Sequence, residues 1–187
     1  MMLATRQERR YGKAGATALA LVLLVIAAWP AVAADSRQDV DAVKAALVFN
    51  FTRYTSWPED VEEGTPLRVG VLGDEDLHAA LRAIDGQKSG QRTLEVRRVD
   101  NAVDAATLDV VFLAGNDRES WLALRSAIDG RPVLTIGEMN GFLDAGGHIN
   151  LVLEDDRFRF EVNLADARDA GLKISSRLLK LARKVKE

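Results

Sequence analysis

The sequence has no cysteine among its 187 residues. This absence excludes a cysteine nucleophile, a thiolate metal site and any disulfide, whether structural or redox-active. Small exported domains often depend on disulfides for stability. A chain without them has to obtain its stability from the packing of its core.

Histidine is also scarce, since only His78 and His148 are present. They belong to different predicted elements, and neither stands in an HExxH sequence or at a close metal-ligand spacing. The chain also lacks the GxSxG nucleophile elbow, the GxGxxG dinucleotide loop and the GxxxxGK[ST] phosphate loop. We therefore expect a protein that is not an enzyme and that uses no metal and no cofactor.

The chain also has no excess of basic residues. The chain has 25 Lys and Arg against 28 Asp and Glu, a net charge of −3 at pH 7. Removal of a basic leader would make the remaining protein more acidic. Nucleic-acid binding needs a basic face that neutralises phosphates, so no nucleic-acid partner is expected.

The N-terminal segment has the pattern of a signal peptide. An apolar, uncharged stretch over residues 14–28 follows a positive stretch that contains Arg6, Arg9, Arg10 and Lys13. Ala31 and Ala33 fit the A-x-A pattern that signal peptidase reads. The apolar run is shorter than the roughly 20 residues of a membrane-spanning helix, although an uncleaved anchor is the alternative. We predict a signal peptide over residues 1–33 and one domain over 34–187, soluble in the periplasm of a Gram-negative cell.

Beyond this leader, predicted helices and strands alternate. Apolar residues at helical spacing indicate helices over residues 38–57, 76–84 and 117–128. Short apolar runs indicate strands over residues 67–72, 93–99, 109–114 and 132–136. The pattern predicts a three-layer α/β domain with a mostly parallel sheet, of flavodoxin-like or Rossmann-like type.

The last third of the chain has a different pattern. Residues 148–153 and 158–164 predict an antiparallel hairpin, because the second run alternates between apolar and polar side chains. From residue 165 onward we expect a closing helix with a break or kink at Gly171. Its buried stripe is predicted to contain Ile174, Leu178, Leu181 and Val185.

The first helix is predicted to bury one stripe of residues at three- and four-residue steps: Val40, Val43, Ala46, Leu47, Asn50, Phe51 and Tyr54. Its C-terminal part is rich in aromatic residues, including Phe49 and Trp57. One stripe cannot hold all of them, so some either pack elsewhere in the core or mark a partner surface.

Two loops follow predicted strands at the sheet edge where α/β folds bind ligands. They contain Gly73 and Asp74 in one case and Gly115 and Asn116 in the other. These residues form a candidate ligand crevice, although the acids nearby would repel phosphate. The alternative is that both glycines serve turn geometry alone.

Four residues are candidates for contact with a protein partner. Glu161 lies on the polar side of the last strand, where it needs partners such as Arg159, Arg177 or Lys173 if that side is covered. The others are Trp57 at the end of the first helix, and Ile174 and Arg177 in the closing helix. A surface that mixes apolar and charged groups suits a reversible contact. An ordinary solvated strand face and an ordinary core stripe are the alternatives.

Several segments together resemble the YfiR family of periplasmic proteins. They are FNFTRYTSWP, LRVGVLGD, DVVFLAG and, most specific, INLVLEDDRFRFEVNL followed by AGLKISSRLLKL. The resemblance runs from about residue 40 to residue 182 and implies an α/β fold. It also implies a regulator that binds the periplasmic domain of an inner-membrane diguanylate cyclase, YfiN, and holds it inactive. An outer-membrane lipoprotein, YfiB, would sequester the regulator.

Some members of that family carry cysteines, and this chain has none, so redox control is not expected of it. The interpretation is thus a periplasmic repressor that lowers cyclic di-GMP by contact with a cyclase. The alternative is a small-ligand sensor or adaptor that works with a histidine kinase. A homodimer is left open.

Overall fold

The computed structural model describes residues 31–58 and 64–187, and within them it contains one eight-stranded sheet and a separate two-stranded ribbon. The order in the sheet is β10-β8-β7-β6-β5-β2-β4-β3. The strands are β1 Thr55–Ser56, β2 Leu67–Leu72, β3 Lys88–Ser89, β4 Arg92–Val96, β5 Val110–Leu113, β6 Leu134–Gly137, β7 Ile149–Glu154, β8 Arg157–Asn163, β9 Lys173–Ile174 and β10 Lys184–Lys186.

The helices are α1 Ala31–Arg53, α2 Glu75–Leu81, α3 Ala102–Ala105, α4 Arg118–Ala127, α5 Leu164–Asp169 and α6 Ser176–Leu179. A 3₁₀ turn over Arg82–Ile84 extends α2. Residues 1–30 of the predicted signal peptide lie outside the described residues. Among the described residues, no helix combines the length and the apolar character that crossing a membrane requires.

The centre of the sheet is parallel, as predicted. Strands β4, β2, β5, β6 and β7 lie side by side in parallel pairs. Numbered by their order in the chain, these five strands lie in the sequence 2-1-3-4-5, which is the flavodoxin-like arrangement. All four residues of β5 are buried, as a parallel strand covered on both faces requires.

Helices cover both faces of the sheet and complete three layers. On one face, α1 and α2 pack on alternate strand residues such as Val69 and Phe112. On the other face, α3 and α4 pack on the intervening residues, such as Val111 and Leu113. The strand side chains alternate between faces, so one short strand contributes to both layers. The predicted three-layer α/β fold is therefore confirmed.

The face that helix α1 buries overlaps the predicted stripe only in part. Its buried residues are Asp41, Lys44, Ala45, Val48, Phe51 and Thr52. Val40, Val43, Ala46 and Asn50, which were expected inside, are exposed. The helix carries apolar residues on more than one side, and one of its buried polar residues, Lys44, forms an ion pair with Glu138 after β6. Of the predicted stripe, Phe51 is buried and Leu47 and Tyr54 are half-buried against the core, so periodicity alone identified only part of the buried face.

The helix also ends earlier than predicted, at Arg53 rather than at Trp57. Thr55 and Ser56 leave the helical path because they pair with Ile174 and Lys173 in the antiparallel ribbon of β1 and β9. Trp57 therefore follows a short strand.

The predicted hairpin is confirmed, with β7 and β8 antiparallel from Ile149–Val162 to Glu154–Arg157. Asp155 and Asp156 form its two-residue turn with φ of 49° and 56°. Two positive φ values suit the right-handed twist of a hairpin, and aspartate tolerates them better than most residues.

The predicted closing helix is wrong. Helix α5 ends before Gly171, which has a φ of 80°, and the rest of the chain forms β9, the short α6 and β10. Ile174 and Leu178 are buried as expected, but Leu181 is 70% exposed. Val185 lies in β10, paired with Val162 of β8. The helical spacing of Ile174, Leu178, Leu181 and Val185 is therefore a coincidence. Pairing of β9 and β10 with distant strands overrides the weak helical preference of this segment.

Candidate partner-binding surface

The β1–β9 ribbon ties the end of α1 to the C-terminal segment. Thr55 pairs with Ile174, and Ser56 pairs with Lys173. One further backbone hydrogen bond extends the ribbon, since the Ser175 N–H donates to the Tyr54 carbonyl at 2.8 Å. The ribbon is short, but several interactions with the main core hold it in place.

Three of the four predicted partner residues lie on or beside this ribbon. Trp57 directly follows β1 and is half-buried against the core. Its indole Nε1 is buried and has no hydrogen-bond acceptor among the described residues. Ile174 is buried within β9. Arg177 is exposed, and its backbone N–H donates to Ser175 Oγ, the N-cap of α6.

Glu161 lies apart from these three. Phe160 and Val162 point toward α1, with the Phe160 ring 5.1 Å from the Phe51 ring, so the alternation of β8 puts Glu161 on the opposite face of the sheet. Its carboxylate Oε1 is 3.5 Å from the Arg183 Nε. Its partner is Arg183 and not one of the examples named from the sequence, Arg159, Arg177 and Lys173, because β10 pairs beside β8 and brings Arg183 to this carboxylate.

Exposed basic side chains surround the ribbon along the chain: Arg53, Lys173, Arg177 and Lys180. Within residues 37–58 and 64–187, none of the four forms an ion pair with a carboxylate. A half-exposed aromatic side chain, Trp57, on a segment with exposed basic residues is suited to a partner surface that presents apolar and acidic groups.

The four residues of the candidate ligand crevice lie at the carboxyl ends of neighbouring strands, as predicted. Gly73 and Asp74 follow β2, and Gly115 and Asn116 follow β5. These two strands are parallel neighbours at the point where the strand order reverses, which is where flavodoxin-like folds bind their ligands. The ligand-binding role itself stays a prediction.

Protein groups already occupy two of the polar positions in this crevice. The Gly115 N–H donates to Glu138 Oε1 at 2.9 Å, and the other carboxylate oxygen of Glu138 is 2.9 Å from the Lys44 Nζ. The Asn140 N–H donates to Asn116 Oδ1 at 3.0 Å. A cavity of about 300 Å³ borders Gly73 and Asp74 on their other side, where Arg98 and Asp100 after β4 line it and Gly115 and Asn116 do not.

The charged residues of α1 that close this crevice were not predicted from the sequence. Lys44 is almost fully buried, lies 6.0 Å from the Phe112 ring centre and forms its ion pair with Glu138. Asp41 is only 4% exposed. Burial raises the pKa of the Asp41 carboxyl, and the nearby Asp74 carboxylate raises it further, while Lys44 lowers it. The sequence pattern that could have identified them is the helical spacing of the buried residues 41, 44, 45, 48, 51 and 52, which lie on one side of α1.

His148 lies at the other end of the parallel strands. It is buried, and its Nδ1 accepts a hydrogen bond from the Thr135 N–H at 3.2 Å. Burial lowers the pKa of His148 to about 4, although Asp166 partly opposes this shift. The ring is therefore neutral at pH 7. Within the described residues, no group of three or more His, Cys, Asp and Glu side chains could hold a metal ion.

The model of a known protein family matches residues 41–183, and its description is YfiR/HmsC-like. The chain belongs to the YfiR/HmsC-like family. The match covers the whole main sheet except the last strand, and it includes both strands of the ribbon. The resemblance found in the sequence is confirmed.

One solved structure with some similarity is described as the ABC domain in complex with L-Trp, from Streptococcus pneumonia. It is 14% identical in sequence, with a TM-score of 0.44, over 63% of this chain and 54% of that chain. The match spans little more than half of that protein. A likeness of this size is too slight to indicate a shared function.

Proposed function

We propose that this protein is a periplasmic regulator that binds the periplasmic domain of an inner-membrane diguanylate cyclase of the YfiN type and holds it inactive. Cyclic di-GMP would then be lower when the regulator is present. The observation that carries the proposal is membership of the YfiR/HmsC-like family over residues 41–183. A YfiB-like outer-membrane lipoprotein would sequester the regulator and release the cyclase.

The β1–β9 ribbon is the proposed contact surface. Trp57, which follows β1, supplies an aromatic ring that is half-buried against the core. Arg177 supplies an exposed cation in α6, the helix that follows β9. Tryptophan and arginine dominate the energetic centres of protein interfaces, while surrounding charges set orientation and association rate. These properties suit a contact that must form and dissociate.

To repress the partner by contact, the regulator must bind one of the partner's two conformations more tightly than the other. The regulator must bind the inactive conformation of the cyclase domain more tightly than the active one, since equal affinity for both would shift nothing. The ribbon is attached to the main core through Ile174, which is buried in that core, and through Trp57, which packs against it. It can therefore present a fixed surface to one of the two states.

Arg177→Glu should raise cyclic di-GMP to the level of a gene deletion and leave the melting temperature unchanged. The charge reversal would repel an acidic partner surface, whereas the exposed side chain contributes little to folding. Arg82→Glu is the matched control, because Arg82 is also exposed but lies on the turn after α2. Cyclic di-GMP should be measured in the deletion strain complemented with each variant.

Each result has a different meaning. If Arg177→Glu represses as well as the native protein, the ribbon is not the contact surface. If the deletion strain itself has a normal cyclic di-GMP level, the partner is not a diguanylate cyclase. The alternative of a small-ligand sensor working with a histidine kinase would then gain support from the cavity of about 300 Å³ beside Gly73 and Asp74.

Glu161→Arg would be a poorer test of the contact surface than Arg177→Glu. It would place two cations together, because Glu161 is within 3.5 Å of Arg183. Arg183 also donates its backbone N–H to the Phe160 carbonyl at 2.8 Å, just before β10. The substitution should therefore loosen β10, and a loss of repression could not be assigned to the partner contact.

The periplasmic location is part of the proposal and has its own test. Protein from cells expressing the full chain should be found in the periplasmic fraction, and its mass should correspond to cleavage before Ala34. The physical reason is the short apolar run, which suits a cleaved leader better than a membrane anchor. Intact protein beginning at Met1 in the membrane fraction would contradict both the cleavage and the soluble state.

A further inference from the structure

A second cavity lies at the amino ends of β6 and β7, at the opposite ends of the parallel strands from the candidate ligand crevice. It has a volume of about 270 Å³. Its walls come from the C-terminal half of α4, the turn that leads into β6, the segment before β7, and α5. These segments are far apart in the sequence, so only the folded protein forms this space.

The walls of the cavity carry charges of both signs. Arg125 and Arg131 are cationic, whereas Asp129, Asp166 and Asp169 are anionic. Within residues 37–58 and 64–187, none of these five side chains forms an ion pair, either with one another or with a different residue. Opposite charges that border one space without pairing across it suit a ligand that carries both charges.

The surrounding backbone holds Arg125 in place. Its Nη1 donates to the Ala145 carbonyl at 2.8 Å, and the buried indole of Trp121 donates to the same oxygen at 3.1 Å. Gly146 leaves room for the guanidinium, because a Cβ there would lie 3.0 Å from the Arg125 Cζ. The Nε and Nη2 of Arg125 form no hydrogen bond within the described residues, so they remain available to a carboxylate.

Polar groups also reach the buried end of the cavity, where His148 is 5% exposed and Thr135 is 1% exposed. The His148 Nδ1 accepts from the Thr135 N–H at 3.2 Å, so the neutral ring carries its proton on Nε2. Asp166 lies near this ring. Its Oδ2 accepts from Asn163 Nδ2 at 2.6 Å, while its Oδ1 has no hydrogen-bond donor among the described residues.

We propose that this cavity binds a small zwitterion, a molecule with a carboxylate and an ammonium group a few bonds apart. The carboxylate would lie between Arg125 and Arg131, and the ammonium would lie beside Asp166 and Asp169. The cavity of about 270 Å³ has room for about nine waters of about 30 Å³ each, and thus for a ligand of roughly ten non-hydrogen atoms. A ligand with a single charge would leave one group of these side chains without a partner.

This inference goes beyond the proposed function, because it needs no partner protein and can be tested with the purified protein alone. The site is also distinct from the ribbon, since none of the residues that line the cavity belongs to β1 or β9. Loss of cyclase repression in a ribbon variant and loss of ligand binding in a cavity variant are therefore separate results.

Calorimetric titration with a series of zwitterions tests the ligand class. Glycine, β-alanine, γ-aminobutyrate and 5-aminovalerate differ only in the distance between their charges. At least one of them should bind with a Kd of about 1 mM or below, a modest affinity for so small a ligand. Butyrate and butylamine have the size of γ-aminobutyrate but one charge each, so both should bind at least about tenfold more weakly than the best zwitterion.

The two tryptophans of the described residues report where the ligand binds. Trp121 lines the cavity, whereas Trp57 follows β1 and does not. In a ¹H–¹⁵N spectrum of protein isolated from cells expressing the full chain, the best zwitterion should shift the Trp121 indole N–H signal. The Trp57 signal, which Trp57→Phe identifies, should shift less. A shift confined to Trp57 would contradict the proposed site.

Arg131→Ala and Asp169→Asn test the charges at the cavity. Both residues are exposed, so the melting temperature should be unchanged. Each variant should bind the best zwitterion about three- to tenfold more weakly than the native protein. Arg82→Ala and Asp76→Asn are the matched controls, because both residues are exposed and neither lines the cavity. These two variants should bind as the native protein does.

Three results would overturn the proposal. The first is that no member of the series binds at concentrations up to about 10 mM. The second is that butyrate or butylamine binds as tightly as the best zwitterion. The third is that Arg131→Ala and Asp169→Asn bind as tightly as their matched controls, because the ligand would then lie elsewhere.

Discussion

Gly147→Ala should destabilise the folded protein by about 3 kcal/mol or more, at the upper end of overpacking effects. A Cβ added to Gly147 would lie 2.3 Å from Cε1 of the Phe142 ring and 2.4 Å from Cδ1. Real side chains do not approach so closely, so either the ring or the backbone has to move. Urea denaturation monitored by tryptophan fluorescence would give the change in the free energy of unfolding.

The Phe142 ring has little room to move. It is fully buried, and its centre lies 4.6 Å from that of Trp121 in an edge-to-face contact. A Cβ added to Gly137 would lie 2.9 Å from the same ring on the side of β6. Gly137 and Gly147 therefore both leave space that the ring fills. Neither residue has a positive φ, so the need for glycine here is steric.

A second substitution separates this clash from other causes. Phe142→Leu alone should cost stability because it leaves a cavity. Combined with Gly147→Ala, it should cost less than the sum of the two single effects, since the smaller side chain makes room for the added methyl group. Additive effects in the double variant, or a loss below about 0.5 kcal/mol for Gly147→Ala alone, would show that the ring can shift aside.

The parallel core could be predicted because its signal is local. β5 is an uninterrupted apolar run, and all of its residues are buried. The hairpin of β7 and β8 was predictable for a similar reason, since its alternation and its acidic turn lie within adjacent residues. Fold class follows from such local patterns.

Other parts of the fold depend on contacts between distant residues. Helix α1 carries apolar side chains on two sides, and only the packed sheet determines that Val48 is buried while Val43 is exposed. The end of α1 and the start of β9 depend on each other through the pairing of Thr55 with Ile174. A sequence window around either residue does not contain its partner.

The candidate surface was predictable only in part. Trp57, Ile174 and Arg177 were selected for their chemistry, and the structure places Ile174 in the ribbon, Trp57 directly after β1 and Arg177 in the helix that follows β9. Glu161 was selected in the same way, but the alternation of β8 puts it on the other face, beside Arg183. The Lys44–Glu138 pair was missed because its partners are far apart in the chain and neither belongs to a recognisable motif.

Acidification from about pH 6.5 to about pH 4 should remove roughly 3 kcal/mol of stability through His148 alone. Burial lowers the pKa of His148 from 6.5 to about 4. In the unfolded chain the imidazole binds a proton as the pH falls through 6.5, while in the folded protein it stays neutral until about pH 4. The unfolded state therefore gains protons first. The stability that the neutral His148 contributes is fully present above pH 6.5. It is lost as the pH falls toward 4, and a shift of one pKa unit corresponds to about 1.4 kcal/mol.

The contacts of His148 explain why protonation opposes folding. Its Nδ1 accepts from the Thr135 N–H at 3.2 Å, and its own backbone N–H donates to Thr135 Oγ1 at 3.1 Å. Protonation of Nδ1 would turn this acceptor into a donor, and the new N–H would face the Thr135 N–H. Asp166 lies near enough to favour the charged ring, but burial has the larger effect.

His148→Gln isolates this contribution, because glutamine offers an acceptor oxygen but does not titrate. The free energy of unfolding of both proteins should be measured by urea denaturation near pH 7 and near pH 4. The native protein should lose about 3 kcal/mol more than the variant over this interval. Other carboxylates titrate in both proteins, so their effects cancel in the comparison. Equal losses in the two proteins would mean that His148 takes up its proton in the folded state at nearly the same pH as in the unfolded chain.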